Sequence, residues 1–180
     1  MQLEGQSAAE RVEVPFYRPE IDDAAIQEVV AVLKSGWLTS GPRVKQFESE
    51  FAAYVGAPHA IAVNSCTAAL HLAVEALGLE RGQVVLVPTH TFAATAEVVR
   101  YLGAIPLLVD SDPATLHLDL ADVDAKIQAM RRGDFAPTIP KDARIVGIIP
   151  VHLGGVMMDM DAVHAVAKKH GLWVVEDAAH

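Results

Sequence analysis

The chain has 180 residues, with 14 lysines and arginines against 23 aspartates and glutamates, so its formal net charge is −9. Apolar residues make up 52% of the sequence, which excludes an intrinsically disordered chain. An acidic chain without clustered basic residues is a poor nucleic-acid binder, since phosphate contacts need lysine and arginine. One cysteine excludes both a disulfide framework and a cysteine-rich zinc site.

The longest apolar run, residues 145–158, is broken by glycine, proline and His152, and the first residues show no secretory signal pattern. We therefore expect a cytoplasmic protein with no membrane partner. Residues 1–14 are predicted to be an N-terminal tail, and residues 15–180 to form a single domain that is an N-terminal piece of something longer.

Two helices are predicted at the start of the chain, because apolar residues recur there with helical spacing. The first begins after Asp22 and ends at Gly36, and the second ends at Gly56. A polar turn, residues 37–42, separates them. The apolar positions of the two helices are Ile26, Val29, Val30 and Leu33, then Val44, Phe47, Phe51 and Tyr54.

Short runs rich in valine and isoleucine then alternate with helical patterns, which predicts βαβ units. The fold class is therefore α/β, a three-layer sandwich with a largely parallel sheet. One long loop is expected at residues 131–142. The predicted strands are residues 60–63, 84–87, 105–109, 145–149 and 172–175, and the helical patterns between them are residues 70–77, 95–102, 123–130 and 163–167.

Polar or aromatic residues follow each predicted strand, where ligands bind in open α/β sheets. They are residues 64–67, residues 88–92, Asp110, His152 and Asp177. Residues 64–67 lead into a helix, whose first amides attract anions such as phosphate. Simple capping by Ser65 or Thr67 is the alternative, and neither a dinucleotide fingerprint nor a P-loop is present.

Asp177 follows a strand that is too apolar to lie at a solvent-exposed edge of the sheet. Its carboxylate is therefore expected to be buried and to need a cation or several hydrogen-bond donors. It either caps the segment that follows or holds a protonated ring nitrogen, as pyridoxal phosphate would require. Phe92 could lie on such a ring or pack in the core. His152 with Asp159 and Asp161 fits no metal template, and Asp161 is placed to cap a helix.

Seven stretches in this order resemble the DegT/StrS nucleotide-sugar aminotransferases, which are fold-type I pyridoxal-phosphate enzymes. They cover nearly the whole chain from Pro15 onward. The stretches are GWLTSGP (36–42), NSCTAALHLA (64–73), VPTHTFAAT (87–95), VDSDP (109–113), PVHLGG (150–155), DMD (159–161) and VEDAAH (175–180). Two positions depart from the family, which often has glycine in place of Cys66 and an aromatic residue in place of Gly154.

The resemblance implies a pyridoxal phosphate site at the ends of the strands. Thr67 and Ala68 would offer backbone amides to the phosphate, which agrees with the argument from the helix terminus. Phe92 would stack on the pyridine ring, Asp177 would pair with the ring nitrogen, and His180 would lie near the ring hydroxyl. The implied cofactor-binding set is Cys66, Thr67, Ala68, Phe92, Asp177 and His180.

The resemblance also implies the reaction, transfer of an amino group from an amino acid, expected to be glutamate, to a keto-sugar nucleotide in amino-sugar or polysaccharide biosynthesis. Thr39, Ser40 and Gly41 would approach the sugar, and a homodimer would share the active site. The chain resembles only the N-terminal part of the large domain. The Schiff-base lysine is expected downstream of His180, so this stretch alone should be inactive.

Two alternatives stay open at this point. A sugar dehydratase of the same family would carry histidine in place of that lysine. A truncated, non-catalytic remnant would lack part of its sheet's cover and expose apolar area.

Overall fold

The computed structural model describes residues 15, 18–134, 136 and 138–180. The predicted tail, residues 1–14, lies outside the described residues. The chain divides into two compact units, with the boundary between Ala62 and Val63. The single domain expected over residues 15–180 stays a prediction.

The described residues of the first unit form two helices, α1 (Asp23–Ser35) and α2 (Pro42–Val55). The Asp22 carboxylate caps α1 by accepting a hydrogen bond from the Ala25 amide at 2.7 Å. Gly36 ends α1 with φ near 72°, a left-handed conformation that glycine adopts at no steric cost. Gly56 ends α2. Both predicted helices and their end signals are confirmed.

Residues 60–63 do not form the strand that their composition predicts. Ile61 is 81% exposed, and the Ala62 amide donates to the Glu48 side chain at 2.9 Å rather than to a neighbouring strand. The prediction was wrong because a strand needs a partner for its backbone groups, and the described residues provide none at this segment.

In the second unit, helices and strands alternate, and the four strands found among its described residues form a sheet in the order β2-β1-β3-β4, with every pairing parallel. The predicted loop at residues 131–142 begins later than expected, because α5 continues to Arg132 and ends at Gly133. The elements are α3 (Cys66–Ala76), β1 (Val84–Pro88), α4 (Ala94–Tyr101), β2 (Ile105–Val109), α5 (Leu120–Arg132), β3 (Ile145–Ile148), a 3₁₀ turn (Leu153–Gly155), α6 (Met160–His170) and β4 (Trp173–Val174).

Helices cover both faces of this sheet. Helices α3 and α4 pack on one face, where Val74 and Val98 lie against Val85 of β1. Helices α5 and α6 pack on the other face, where Val123 is in the same cluster as Leu86 of β1. All five residues of β1 are buried, as expected for a strand covered on both sides. The predicted three-layer, parallel α/β architecture is confirmed.

Helix α6 is capped by Asp159, whose carboxylate accepts from the Ala162 amide at 3.0 Å. The cap expected at Asp161 was wrong, because the helix begins earlier and Asp161 lies in its first turn. A carboxylate there still faces the positive end of the helix dipole. In the part of the chain that the structure describes, no helix has the length and apolar character needed to cross a membrane.

Candidate functional site

Asp177 lies at the carboxyl edge of the sheet, beyond β3 and β4. Its amide donates to the Pro150 carbonyl at 2.9 Å, and its carbonyl accepts from the His152 amide at 3.1 Å. Asp177 and Val151 form a parallel bridge that continues the pairing of the two strands. The backbone at Asp177 is therefore held by the sheet itself.

The Asp177 side chain is buried, with 5% of the residue exposed. Its Oδ2 accepts from the Thr95 hydroxyl at 2.7 Å. Its Oδ1 accepts from the Cys66 thiol at 3.6 Å and from the Ala179 amide at 3.3 Å. No lysine, arginine or histidine of the described residues forms an ion pair with it. A buried carboxylate with only neutral donors is suited to receive a cation.

Thr95 is the residue of this candidate site that sequence reasoning missed. It lies on α4 and is fully buried, and its hydroxyl contacts both the Asp177 carboxylate and the Thr91 hydroxyl, the latter at 2.6 Å. Thr95 belongs to a stretch that resembles the family, yet a threonine on a helix face facing the core reads as a packing residue. Only its partner 82 positions away reveals the contact.

The amino end of α3 lies beside Asp177, because Cys66 is the first residue of that helix and contacts the carboxylate. Ser65 caps the helix, and its Oγ accepts from the Ala68 amide at 3.1 Å. The amides of Cys66 and Thr67 have no hydrogen-bond partner within the described residues, as expected at a helix start. Thr67 thus presents a free donor, whereas the Ala68 donor is engaged by the cap.

The Cys66 thiol has a raised pKa. Partial burial of the sulfur is the main cause, although the residue as a whole is exposed, and the negative charge of Asp177 and its hydrogen bond raise the pKa further. The thiol is therefore kept protonated, and it can donate to the carboxylate at neutral pH.

Phe92 is 80% exposed, which excludes the core position that was its alternative. It precedes α4, and its carbonyl accepts from the Thr95 amide at 3.2 Å. Phe92 therefore lies about one helical turn before Thr95, the residue whose hydroxyl contacts Asp177. An exposed aromatic ring is available for stacking on a flat ligand.

Two histidines make defined contacts at this edge. The Gly154 amide donates to Nδ1 of His180 at 3.0 Å, so a neutral His180 carries its proton on Nε2. The buried His152 lies 2.9 Å from the Glu176 carboxylate through Nε2 and accepts from the Met158 amide through Nδ1. Among the described residues, no group of three or more side chains is arranged to hold a metal ion.

Thr39, Ser40 and Gly41 line an open cavity of about 610 Å³ within the first unit. The Trp37 indole donates to the Ser40 carbonyl at 3.2 Å, and a Cβ at Gly41 would overlap that indole. Their contact with a sugar stays a prediction. Asp110, also expected in the pocket, is exposed, and its carboxylate accepts from the Ser111 amide instead of joining the Asp177 contacts.

Residues 19–180 match the DegT/DnrJ/EryC1/StrS aminotransferase family. Over 167 residues the chain is 46% identical to the spore coat polysaccharide biosynthesis protein SpsC of Bacillus subtilis, covering 93% of this chain and 39% of that protein. The chain thus spans about two fifths of the length of this relative.

Solved structures agree with this match. Spr1654 of Streptococcus pneumoniae, named as a sugar aminotransferase and solved in a PLP form, superposes with a TM-score of 0.78 at 32% identity, over 94% of this chain and 43% of that one. A family member from Brucella abortus superposes with a TM-score of 0.77 at 34% identity, over 86% of this chain and 39% of that one. The chain belongs to the DegT/DnrJ/EryC1/StrS aminotransferase family.

Proposed function

We propose that the protein containing this chain is a pyridoxal-phosphate-dependent aminotransferase acting on a nucleotide-linked keto sugar, with glutamate as amino donor. The observation that carries the proposal is Asp177, a buried carboxylate with neutral donors and no cationic partner among the described residues. Family membership and relatives solved in PLP and PMP forms support the same cofactor.

The residues around Asp177 fit pyridoxal phosphate in three respects. A buried carboxylate without a cation fits a protonated pyridine nitrogen. The free amides of Cys66 and Thr67 at the start of α3 fit a phosphate. The exposed ring of Phe92 fits the flat face of a pyridine.

Each of these residues has a defined task in the proposed reaction. Asp177 would hold the proton on the ring nitrogen, and the free amides at the start of α3 would anchor the phosphate. The Ser65 hydroxyl, whose oxygen already accepts from Ala68, keeps its own proton free to donate to the same phosphate. Because the Gly154 amide occupies Nδ1 of His180, Nε2–H of the neutral ring would be the donor to the ring hydroxyl. When bound, pyridoxal phosphate supplies the electron sink that amino transfer needs.

The substrates and partners are proposed from the resemblance and from the relatives. SpsC is named for polysaccharide biosynthesis, which supports a sugar as amino acceptor. We place the sugar near Thr39, Ser40 and Gly41 and propose a cytoplasmic homodimer that shares its active sites. The lysine that forms the Schiff base is proposed to follow His180 in the longer protein, and a histidine there would instead indicate a dehydratase.

The test is Asp177→Asn in the full-length protein. The substitution keeps the shape of the side chain and removes its charge, so the ring proton loses its counter-ion. A loss worth about 3–5 kcal/mol predicts a fall in turnover of roughly 10²- to 10⁴-fold. Turnover is measured with glutamate and a panel of keto-sugar nucleotides, and the dissociation constant of pyridoxal phosphate is measured by absorbance.

Asp110→Asn is the matched control, because Asp110 also follows a strand at this edge but makes no contact with Asp177. It should keep turnover within a few fold of wild type. Full activity in Asp177→Asn would refute the proposed function.

A further inference from the structure

We propose that Thr95 is a positioning residue that orients the Asp177 carboxylate, so that Oδ2 is tied to α4 and Oδ1 is left for the ring nitrogen. The inference rests on the proposed function, and it assigns a task to a residue that does not itself touch the cofactor.

The two oxygens of Asp177 have unequal hydrogen bonds. Oδ2 accepts a short bond of 2.7 Å from the Thr95 hydroxyl. Oδ1 accepts only long contacts, 3.3 Å from the Ala179 amide and 3.6 Å from the Cys66 thiol. Cys66 opens α3, the proposed phosphate anchor, so Oδ1 is the oxygen on the side of that anchor. The weakly bonded oxygen therefore has spare acceptor capacity on the side where a cation is needed.

The direction of the hydrogen bonds is set by counting protons. An ionised carboxylate can only accept hydrogen bonds, so the single hydroxyl proton of Thr95 is donated to Asp177. The 2.6 Å contact between the Thr91 and Thr95 hydroxyls must then be donated by Thr91. The result is a one-way chain from Thr91 through Thr95 to Oδ2. Each donated bond polarises the next and strengthens it.

The burial of Thr95 makes this chain rigid. Thr95 is fully buried, and a β-branched side chain on a helix has few χ1 choices. Its hydroxyl therefore stays where the surrounding core places it, and rotation of the Asp177 carboxylate would break the bond. A flexible exposed donor at the same distance would not restrict the carboxylate in this way.

The test compares Thr95→Val, which keeps the shape but lacks the hydroxyl, with Thr95→Ser, which keeps the hydroxyl. Both are made in the full-length protein. The probes are pyridoxal phosphate and its 1-deaza analogue, whose ring has a C–H in place of the nitrogen. The ratio of their dissociation constants isolates the contact between the ring nitrogen and Asp177, because both ligands share the phosphate and the ring face.

Wild type should bind pyridoxal phosphate at least about tenfold more tightly than the analogue, as expected for a charge-assisted bond. Thr95→Val should reduce that ratio by about tenfold while affinity for the analogue changes little, and Thr95→Ser should stay within about threefold of wild type. An unchanged or larger ratio in Thr95→Val would overturn the inference. If the hydroxyl only competed with the ring nitrogen for the negative charge of the carboxylate, its removal would strengthen the contact between Asp177 and the ring nitrogen and raise the ratio.

Thr91→Val gives a second measurement if Thr95→Val does not fold. It removes the donor to Thr95 without altering any atom bonded to Asp177, and the ratio should fall by about threefold. A wild-type ratio near one would refute the proposed function itself. A high wild-type ratio that neither valine variant lowers would refute only the positioning task of Thr95.

Discussion

At the scale of single residues, the candidate site contains a carboxylate and a thiol in contact, and the Cys66 thiol donates a hydrogen bond to the Asp177 carboxylate. Cys66 lies 3.6 Å from Oδ1 of Asp177, and its pKa is raised by burial first and then by the charge and hydrogen bond of that carboxylate. The family often has glycine at this position. A thiol there adds a donor on the side of Asp177 where we place the ring nitrogen.

Asp177→Asn should therefore lower the pKa of Cys66. Removing the negative charge and its hydrogen bond leaves only the effect of burial, so more thiolate is present at a given pH and alkylation is faster. The rate of iodoacetamide labelling, followed by mass spectrometry from pH 7 to 10, should show its midpoint at lower pH in the variant. Asp110→Asn is the control and should leave the midpoint in place. An unchanged midpoint in Asp177→Asn would contradict the contact.

At the scale of elements, the close approach of β3 and β4 depends on a glycine. Gly147 of β3 pairs with Trp173 of β4, and a Cβ on Gly147 would overlap the Trp173 indole. Glycine is less favourable than other residues inside a strand, but at this position of β3 its missing side chain leaves room for the Trp173 indole. This pairing leads directly to the bridge between Val151 and Asp177, so it positions the site.

Gly147→Ala should lower the free energy of unfolding by about 1–3 kcal/mol, because the added methyl group overpacks a buried contact. Urea denaturation followed by circular dichroism measures the change. The double variant Gly147→Ala with Trp173→Leu should lose less stability than the sum of the two single variants, since the smaller side chain makes room. Additive losses would show that the indole is not what excludes the methyl group.

At the scale of the whole molecule, the apolar segment at residues 60–63 lacks a partner strand among the described residues. Its composition is typical of a strand, yet Ile61 is 81% exposed and only the Ala62 amide of the segment has a partner among the described residues. The relatives are more than twice as long as this chain. We therefore expect that in the full-length protein this segment pairs with a strand from elsewhere.

Hydrogen exchange tests this expectation. In the 180-residue chain, the amides of Ile61 and Val63 should exchange orders of magnitude faster than those of β1, which are held in a buried sheet. In the full-length protein, the same two amides should become protected to a similar degree as β1. Rapid exchange in both proteins would mean that no strand pairs there.

Most of the fold and part of the site could be predicted from local sequence. Caps such as Asp22, end signals such as Gly36 and the buried run of β1 follow from a few neighbouring residues, because helix and strand periods report which face is buried. Asp177 was predicted as a site residue for a similar reason, since a charge directly after an apolar strand requires a partner. The cap of α6 was misplaced from Asp159 to Asp161 because both acids suit a helix start.

The sequence by itself determined the parallel α/β architecture, the family and the edge of the sheet where the polar residues gather. Only the tertiary structure decided that Thr95 and Cys66, which lie 82 and 111 positions from Asp177, are the side chains that hold its carboxylate. It also decided that residues 60–63 lack a partner among the described residues. Periodicity encodes burial along one element, whereas hydrogen bonds between distant elements depend on how the elements pack, and no local pattern records that.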